Sequence, residues 1–270
     1  MSDPGHRFPV IAQDVRAADW LVEALDHAEY TVASLLPRGY AAYARILHPA
    51  EGSGRRVRWS EVARWSGHDL TPETQFGSLS KPLRGAGPRP SSKRRRARSA
   101  PRPFTGVPRD GSLPEPELAT LCAILADHTS TPDECWFCVW NGYGWLDPSQ
   151  STVMTAIGLA RRPPEPSRPT PPADYLANAS DAPLVHMPGR EFLLLTGPLR
   201  AASLIGSTDA GGFLFEQSPN FCWPRDRSWC VATEIDLDST HVAGPASLID
   251  ALLTAPSLEV LPTTPNTRAF

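Results

Sequence analysis

Cys135-Trp136-Phe137-Cys138-Val139-Trp140, closed by Asn141-Gly142, is the stretch on which the fold turns. Six consecutive apolar or aromatic residues ended by an Asn-Gly pair have the length and punctuation of a strand with a tight turn behind it. They predict a central strand buried on both faces, with Trp136, Cys138 and Trp140 on one side and Phe137 and Val139 on the other. A second strand is expected at 228–237. There Trp229, Val231, Thr233, Ile235 and Leu237 alternate with Cys230, Ala232, Glu234, Asp236 and, just beyond, Asp238. The two read as neighbours in one sheet, the second turning wet and acidic toward its end.

Working outward, 184–187 and 190–196 flank Pro188-Gly189, which suits a type II turn and a hairpin. Residues 213–215 suggest an edge strand, 245–253 a short helix and 258–261 a last strand. Upstream, Pro114, Pro116 and Glu117 open a helix whose apolar face is Leu118, Leu121, Cys122 and Leu125. Thr131-Pro132-Asp133-Glu134 looks like a short helical start. The N-terminal part predicts a helix over 14–36, a strand through Tyr43, Arg45 and Leu47, and a helix from Ser60, as N-cap, to Trp65. A further helix is expected to start at Thr71-Pro72, limited by Gly77. The expected class is α+β: a mainly antiparallel sheet packed against several short helices, not a doubly wound sheet. The sequence contains no phosphate loop or dinucleotide fingerprint.

Charge is distributed unevenly along the 270 residues. The whole chain carries 26 basic and 29 acidic side chains, yet ten of the basic ones fall between Lys81 and Arg109, with no acidic residue among them. Rich in Pro, Gly and Ser, the region 81–113 predicts a disordered basic insertion between an N-terminal part, 1–80, and a part at 114–270. A proline-dense loop is expected at 161–172, and the two folded parts are expected to pack as one domain. Lys93, Arg94, Arg95, Arg96 and Arg98 could contact phosphates, although no aromatic residue is interleaved to stack on bases. The N-terminus lacks a signal-peptide pattern, and no apolar run reaches the roughly 20 residues of a membrane span. A cytoplasmic protein off the membrane is expected, and five cysteines do not suggest a disulfide scaffold.

The chemistry-bearing residues are few. Cys135 and Cys138 have redox-motif spacing, but three positions apart in a strand they project to opposite faces. Cys222 and Cys230 lack the knuckle spacing that would complete a zinc site, so neither metal nor cofactor is expected. No nucleophile elbow occurs. Among His48, His128, His186 and His241, the last is the best base, and His186 reads as a cross-strand polar neighbour. An enzyme assembled from His48, His241 and Asp236 is the alternative reading. Glu234, Asp236 and Asp238 suggest an acidic face whose repulsion a basic group would relieve, supplied by a partner in trans or by the chain's own arginine loop. Tyr143 and Trp145, alternating with glycines, must leave the sheet, and Trp223 precedes Arg225 and Asp226. The candidate surface is therefore Tyr143, Trp145, Trp223, Arg225, Asp226, Glu234, Asp236 and Asp238. The function expected is non-catalytic protein binding, with nucleic-acid contact through 93–98 a lesser alternative.

Several blocks carry a resemblance. They are His48-Pro49, Thr71-Pro72-Glu73-Thr74-Gln75-Phe76, the stretch from Thr129 to Gly142, Pro188-Gly189-Arg190-Glu191-Phe192, and Trp223 through Asp236. Together they resemble an uncharacterised protein family common in Streptomyces and related actinobacteria, over most of the chain outside the basic window. The resemblance implies a bacterial cytoplasmic protein and carries over no functional residue. The layout is also similar, at the level of fold alone, to small bacterial immunity-type binding proteins.

Overall fold

The computed structural model describes residues 8–26, 30–83, 101–146, 176, 178–208 and 214–270. In chain order these form β1 (Val10–Ile11), α1 (Asp19–Ala24), β2 (Ala42–Leu47), β3 (Ala50–Gly52), β4 (Arg55–Val57), α2 (Trp59–Ser66), α3 (Phe76–Leu79), α4 (Glu115–Ala126) and β5 (Cys135–Trp140). There follow β6 (Leu184–Met187), β7 (Arg190–Gly197), β8 (Gly206–Thr208), β9 (Leu214–Glu216), β10 (Phe221–Pro224), β11 (Cys230–Ala232), β12 (Ser239–Gly244), α5 (Ala246–Thr254) and β13 (Val260–Thr263). Among the described residues nine strands make one sheet in the order β1-β7-β5-β10-β11-β12-β2-β13, with β6 also on β7. Its pairings are antiparallel, and the class is α+β. β3–β4 and β8–β9 are separate two-stranded ribbons.

β5 runs between β7 and β10, with Phe137 opposite Leu195 on one side and Cys222 on the other. An interior strand covered on both faces has no wet side, which is why its sequence is continuously apolar. Cys135, Phe137 and Val139 enter one core, roofed by Leu121 and Leu125 of α4 and by Leu248 and Leu252 of α5. Cys138, with the partly buried Trp136 and Trp140, enters the other, which Leu21 of α1, Leu36 and Trp223 help to fill. Each fully buried side chain of this size contributes about 1.5–3 kcal/mol. A third cluster, Trp59, Val62, Phe76, Leu79 and Phe104, gathers around Leu47 at the end of β2. Because β2 pairs with β12 and β13, the N-terminal and C-terminal parts share one sheet.

The hairpin at Pro188-Gly189 forms with Met187 opposite Arg190, and Gly189 adopts a φ of 73°, open to a residue without Cβ. The helix expected over 14–36 does not form. After a 3-10 turn at Arg16–Ala18, α1 stops at Leu25, where the backbone becomes extended. The Val32 and Ala33 N–H groups donate instead to the carbonyls of Thr267 and Pro265 near the chain end, so tertiary bonding overrides a helical periodicity. α2 begins at Trp59, and Ser60 is not its cap. The Glu259 carboxylate accepts from Trp59 N–H at 2.6 Å and from Ser60 N–H at 2.8 Å, replacing a local cap by a distant one. α3 starts at Phe76 and contains Gly77, while Thr71-Pro72 and Thr131-Pro132 each open a turn rather than a helix.

The largest correction concerns 228–237. β11 keeps only Cys230–Ala232, and the chain then turns through Glu234 to Leu237 and returns as β12. Both faces of β11 are buried, Val231 in one core and Cys230 with Ala232 in the other. The strand ends where Glu234 and Asp236 begin, because carboxylates cannot follow it into the core without partners. β10 intervenes between β11 and β5, so the two expected neighbours are one strand apart. In the basic window, 84–100 lie outside the described residues, as do 161–172 and Phe213. Residues 101–113 are placed and packed: Phe104 sits edge-on to Phe76 and Trp65, and Leu113 is in the core, which supplies the burial a disordered segment lacks. No described helix is long and apolar enough to cross a membrane.

Candidate protein-recognition surface

At the end of β5 the chain leaves the sheet through Asn141-Gly142. Gly142 lies so close to the Trp140 indole that a Cβ there would collide with the ring. Beyond it, Tyr143 meets Trp140 edge-on at 5.2 Å and stacks on Trp145 at 6.1 Å, with 15° between the planes. All three rings are partly exposed. Asn220, 1% exposed, fixes them from below. Its amide donates to the Tyr143 Oη and to the Thr233 carbonyl, both at 3.0 Å, and its Oδ1 accepts the Trp140 N–H at 2.8 Å. The Tyr143 hydroxyl donates in turn to the Gly111 carbonyl at 3.3 Å, and burial raises its pKa.

A charged rim borders this ledge. Arg190, the first residue of β7, places its guanidinium 5.7 Å from the Trp140 ring centroid, within cation–π range. The same group pairs with Glu234 at 3.2 Å and with Asp236 at 2.6 Å on the β11–β12 turn. Asp236 is 72% exposed. Burial, with the Asp236 charge adding to it, raises the pKa of the nearby Asp110. The structure thus brings together Tyr143, Trp145, Glu234 and Asp236 from the sequence reading. It adds Trp140, Arg190, Asp110 and Asn220. Arg190 had a signal, a cation directly after a hairpin turn; Asn220 and Asp110 had none.

The remaining expected residues lie elsewhere. Trp223 is 1% exposed and packs edge-on against Trp20 at 6.0 Å, so it belongs to the core and not to a surface. Pro224 pairs with Cys135, which puts Arg225 and Asp226 at the start of β5, the opposite end from Tyr143. Arg225 forms an exposed pair with Glu134 at 2.8 Å. Asp226 accepts from the Thr129 hydroxyl and from the Ser130 and Ser228 N–H groups and the Ser130 hydroxyl; although burial opposes its charge, the bonds from Ser130 and Ser228 hold its carboxyl well below the ordinary range. Asp238 pairs with the buried Arg45 at 3.5 Å and not with Arg190, and burial, with the Asp110 charge adding to it, pushes its pKa up to about 6. Lys93, Arg94, Arg95, Arg96 and Arg98 lie outside the described residues.

The histidines do not assemble with Asp236. His48 and His241 are closed from solvent, whereas Asp236 is on the exposed rim. His48 is held by the Arg109 carbonyl at 2.7 Å and the Thr240 hydroxyl at 2.9 Å. His241 lies opposite Arg45 in the β12–β2 register, and neither ring nitrogen has a hydrogen-bond partner. Burial, reinforced by the Arg45 charge, pulls His48 down to about 4 and His241 to about 3, so both are neutral at pH 7. His186 does form the expected cross-strand contact, 3.2 Å from Glu191. Cys135 and Cys222 enter one core while Cys138 and Cys230 enter the other, and burial pushes the Cys135 thiol up to about 12. Among the described residues no three His, Cys, Asp or Glu side chains are grouped to hold a metal ion.

Fold and surface define an α+β protein whose antiparallel sheet presents a fixed aromatic ledge with a charged rim at one end of an interior strand. Compared with protein-family models, with curated proteins and with solved structures, the chain finds no match.

Proposed function

We propose that this chain is a non-catalytic protein-binding module of the immunity type, cytoplasmic in an actinobacterial cell. Its binding surface is the Trp140–Tyr143–Trp145 ledge, with Arg190, Glu234 and Asp236 on the rim. The observation that carries this reading is the ledge: three rings partly open to solvent and yet held, Tyr143 by Asn220 and by the Gly111 carbonyl. The few residues that carry most of the binding energy at protein interfaces are enriched in tryptophan, tyrosine and arginine. Rings already fixed lose little side-chain entropy on association. The carboxylates on the rim add orientation and partner choice more than affinity.

Affinity capture from the native host, with the intact chain and its Trp145→Ala variant as paired baits, tests the reading. A protein partner recovered in stoichiometric amount by the wild type and lost by the variant, with the circular dichroism of both baits unchanged, is the expected result. Equal recovery by two folded baits removes the ledge as the site. Nucleic acid is the lesser partner: contact through 93–98 predicts binding that falls steeply with salt and disappears when those residues are deleted.

A further inference from the structure

Arg190 shows what the rim can hold. A guanidinium lies over the Trp140 indole while Glu234 and Asp236 neutralise it, a complete set of contacts for an arginine side chain. That set does not use up the negative charge. Asp236 stays mostly in water, and Asp110, also exposed, lies near enough to feel its charge. The adjacent Arg109 is directed at the Glu216 carbonyl. Tyr143 bonds to Gly111, the residue after Asp110, and the Gly111 N–H donates to the Leu237 carbonyl, so Asp110 and the turn that carries Asp236 lie on the hydroxyl side of Tyr143, where the charges of Arg109, Glu234 and Arg190 also act.

We infer that the partner of this ledge is a basic protein segment, one of whose arginines stacks on Trp145 and Tyr143 and pairs with Asp236 and Asp110. This rests on the protein-recognition reading above. An acidic segment or a phosphate-bearing ligand meets repulsion from the same carboxylates. Arginine is preferred to lysine because a planar guanidinium both stacks on a ring and engages carboxylates through parallel N–H groups, as Arg190 does within the chain.

The test is titration of the full chain with a short Arg-Gly-Ser peptide, its Lys-Gly-Ser and Glu-Gly-Ser counterparts as controls, followed by tryptophan fluorescence at fixed low salt. The arginine peptide should bind, the lysine peptide more weakly and the glutamate peptide not at all. The Asp110→Asn/Asp236→Asn double variant, altered only at exposed positions, should weaken arginine binding about tenfold, the equivalent of ~1.4 kcal/mol. Asp133→Asn, an exposed carboxylate bonded to Arg200 away from the ledge, should leave it unchanged. Absence of arginine-peptide binding, or equal loss in the double variant and in Asp133→Asn, overturns the inference. If either happens while Trp145→Ala still abolishes partner capture, only the basic identity of the partner falls. If capture too is indifferent to Trp145, the recognition reading falls with it.

Discussion

Asn220 is the residue on which the ledge depends. It is buried, and its side chain spends one acceptor and two donors on three different segments: the end of β5, the aromatic turn and the strand margin at Thr233. Removing it strands the Trp140 N–H and the Thr233 carbonyl away from water, and each such orphan costs about 1–3 kcal/mol. Asn220→Ala is therefore expected to lower the unfolding free energy by about 3 kcal/mol in urea titration. Its tryptophan emission should also shift to the red as Tyr143 and Trp145 loosen. A stability loss below about 0.5 kcal/mol, with emission unchanged, would mean that the ledge is held by its ring contacts alone. Gly142 acts at the same scale by a different route, since its missing side chain is what lets the Trp140 indole lie against the turn.

At the scale of elements, the N-terminus of α2 shows how a helix can be finished by a distant residue. A serine at its second position looks like a cap, yet the carboxylate that accepts the first N–H groups belongs to Glu259, just before β13. Glu259→Ala should cost about 1 kcal/mol by the ordinary worth of a cap, whereas Ser60→Ala should stay within about 0.5 kcal/mol. Thermal unfolding of the two variants side by side separates these outcomes, and the reverse order would restore Ser60 to the capping role. The β11–β12 hairpin is the other instructive element. Alternation of apolar and acidic residues reads as one long strand with a wet face, but the apolar half is a strand buried on both sides and the acidic half is the turn that supplies Glu234 and Asp236 to Arg190.

At the scale of the whole molecule, the buried histidines set the acid limit of stability. His48 and His241 titrate near 4 and 3 in the folded chain against an ordinary 6.5, so the unfolded chain takes up their protons first. Their stabilising contribution is complete above pH 6.5 and is lost as the pH falls through those folded values. Asp238 works in the opposite sense: raised to about 6 by burial, it takes a proton in the folded chain before it does in the unfolded one. Between pH 6 and 4 the two histidines lower stability as acid is added, while Asp238, Asp110 and Glu117, all raised by burial, oppose them, so the histidine contribution is read from the difference between two chains. His241→Leu removes one histidine and should flatten that limb. Urea midpoints at pH 6, 5 and 4 for wild type and variant decide it; identical slopes would mean that His241 is not depressed in the folded chain. The groups facing His241 make the shift intelligible, since Arg45 lies opposite on β2, Ala232 on β11, and His48 contributes its own positive charge if protonated.

What the sequence determined on its own was carried by local pattern. The interior strand Cys135–Trp140, the Pro188-Gly189 hairpin, the helix after Pro114 and the antiparallel α+β class follow from apolar runs and turn residues acting over a few positions. Tyr143 and Trp145 were legible as surface rings for the same reason, because aromatics alternating with glycines cannot be hidden in a turn. Tertiary structure decided what depends on partners far along the chain. It broke the 14–36 helix by pairing Val32 and Ala33 with the chain end, buried Trp223 against Trp20, and brought Arg190 to Glu234 and Asp236. Periodicity records which face of an element is apolar; it does not record which other element will satisfy a given N–H, ring or charge, and that assignment is made only when the sheet closes.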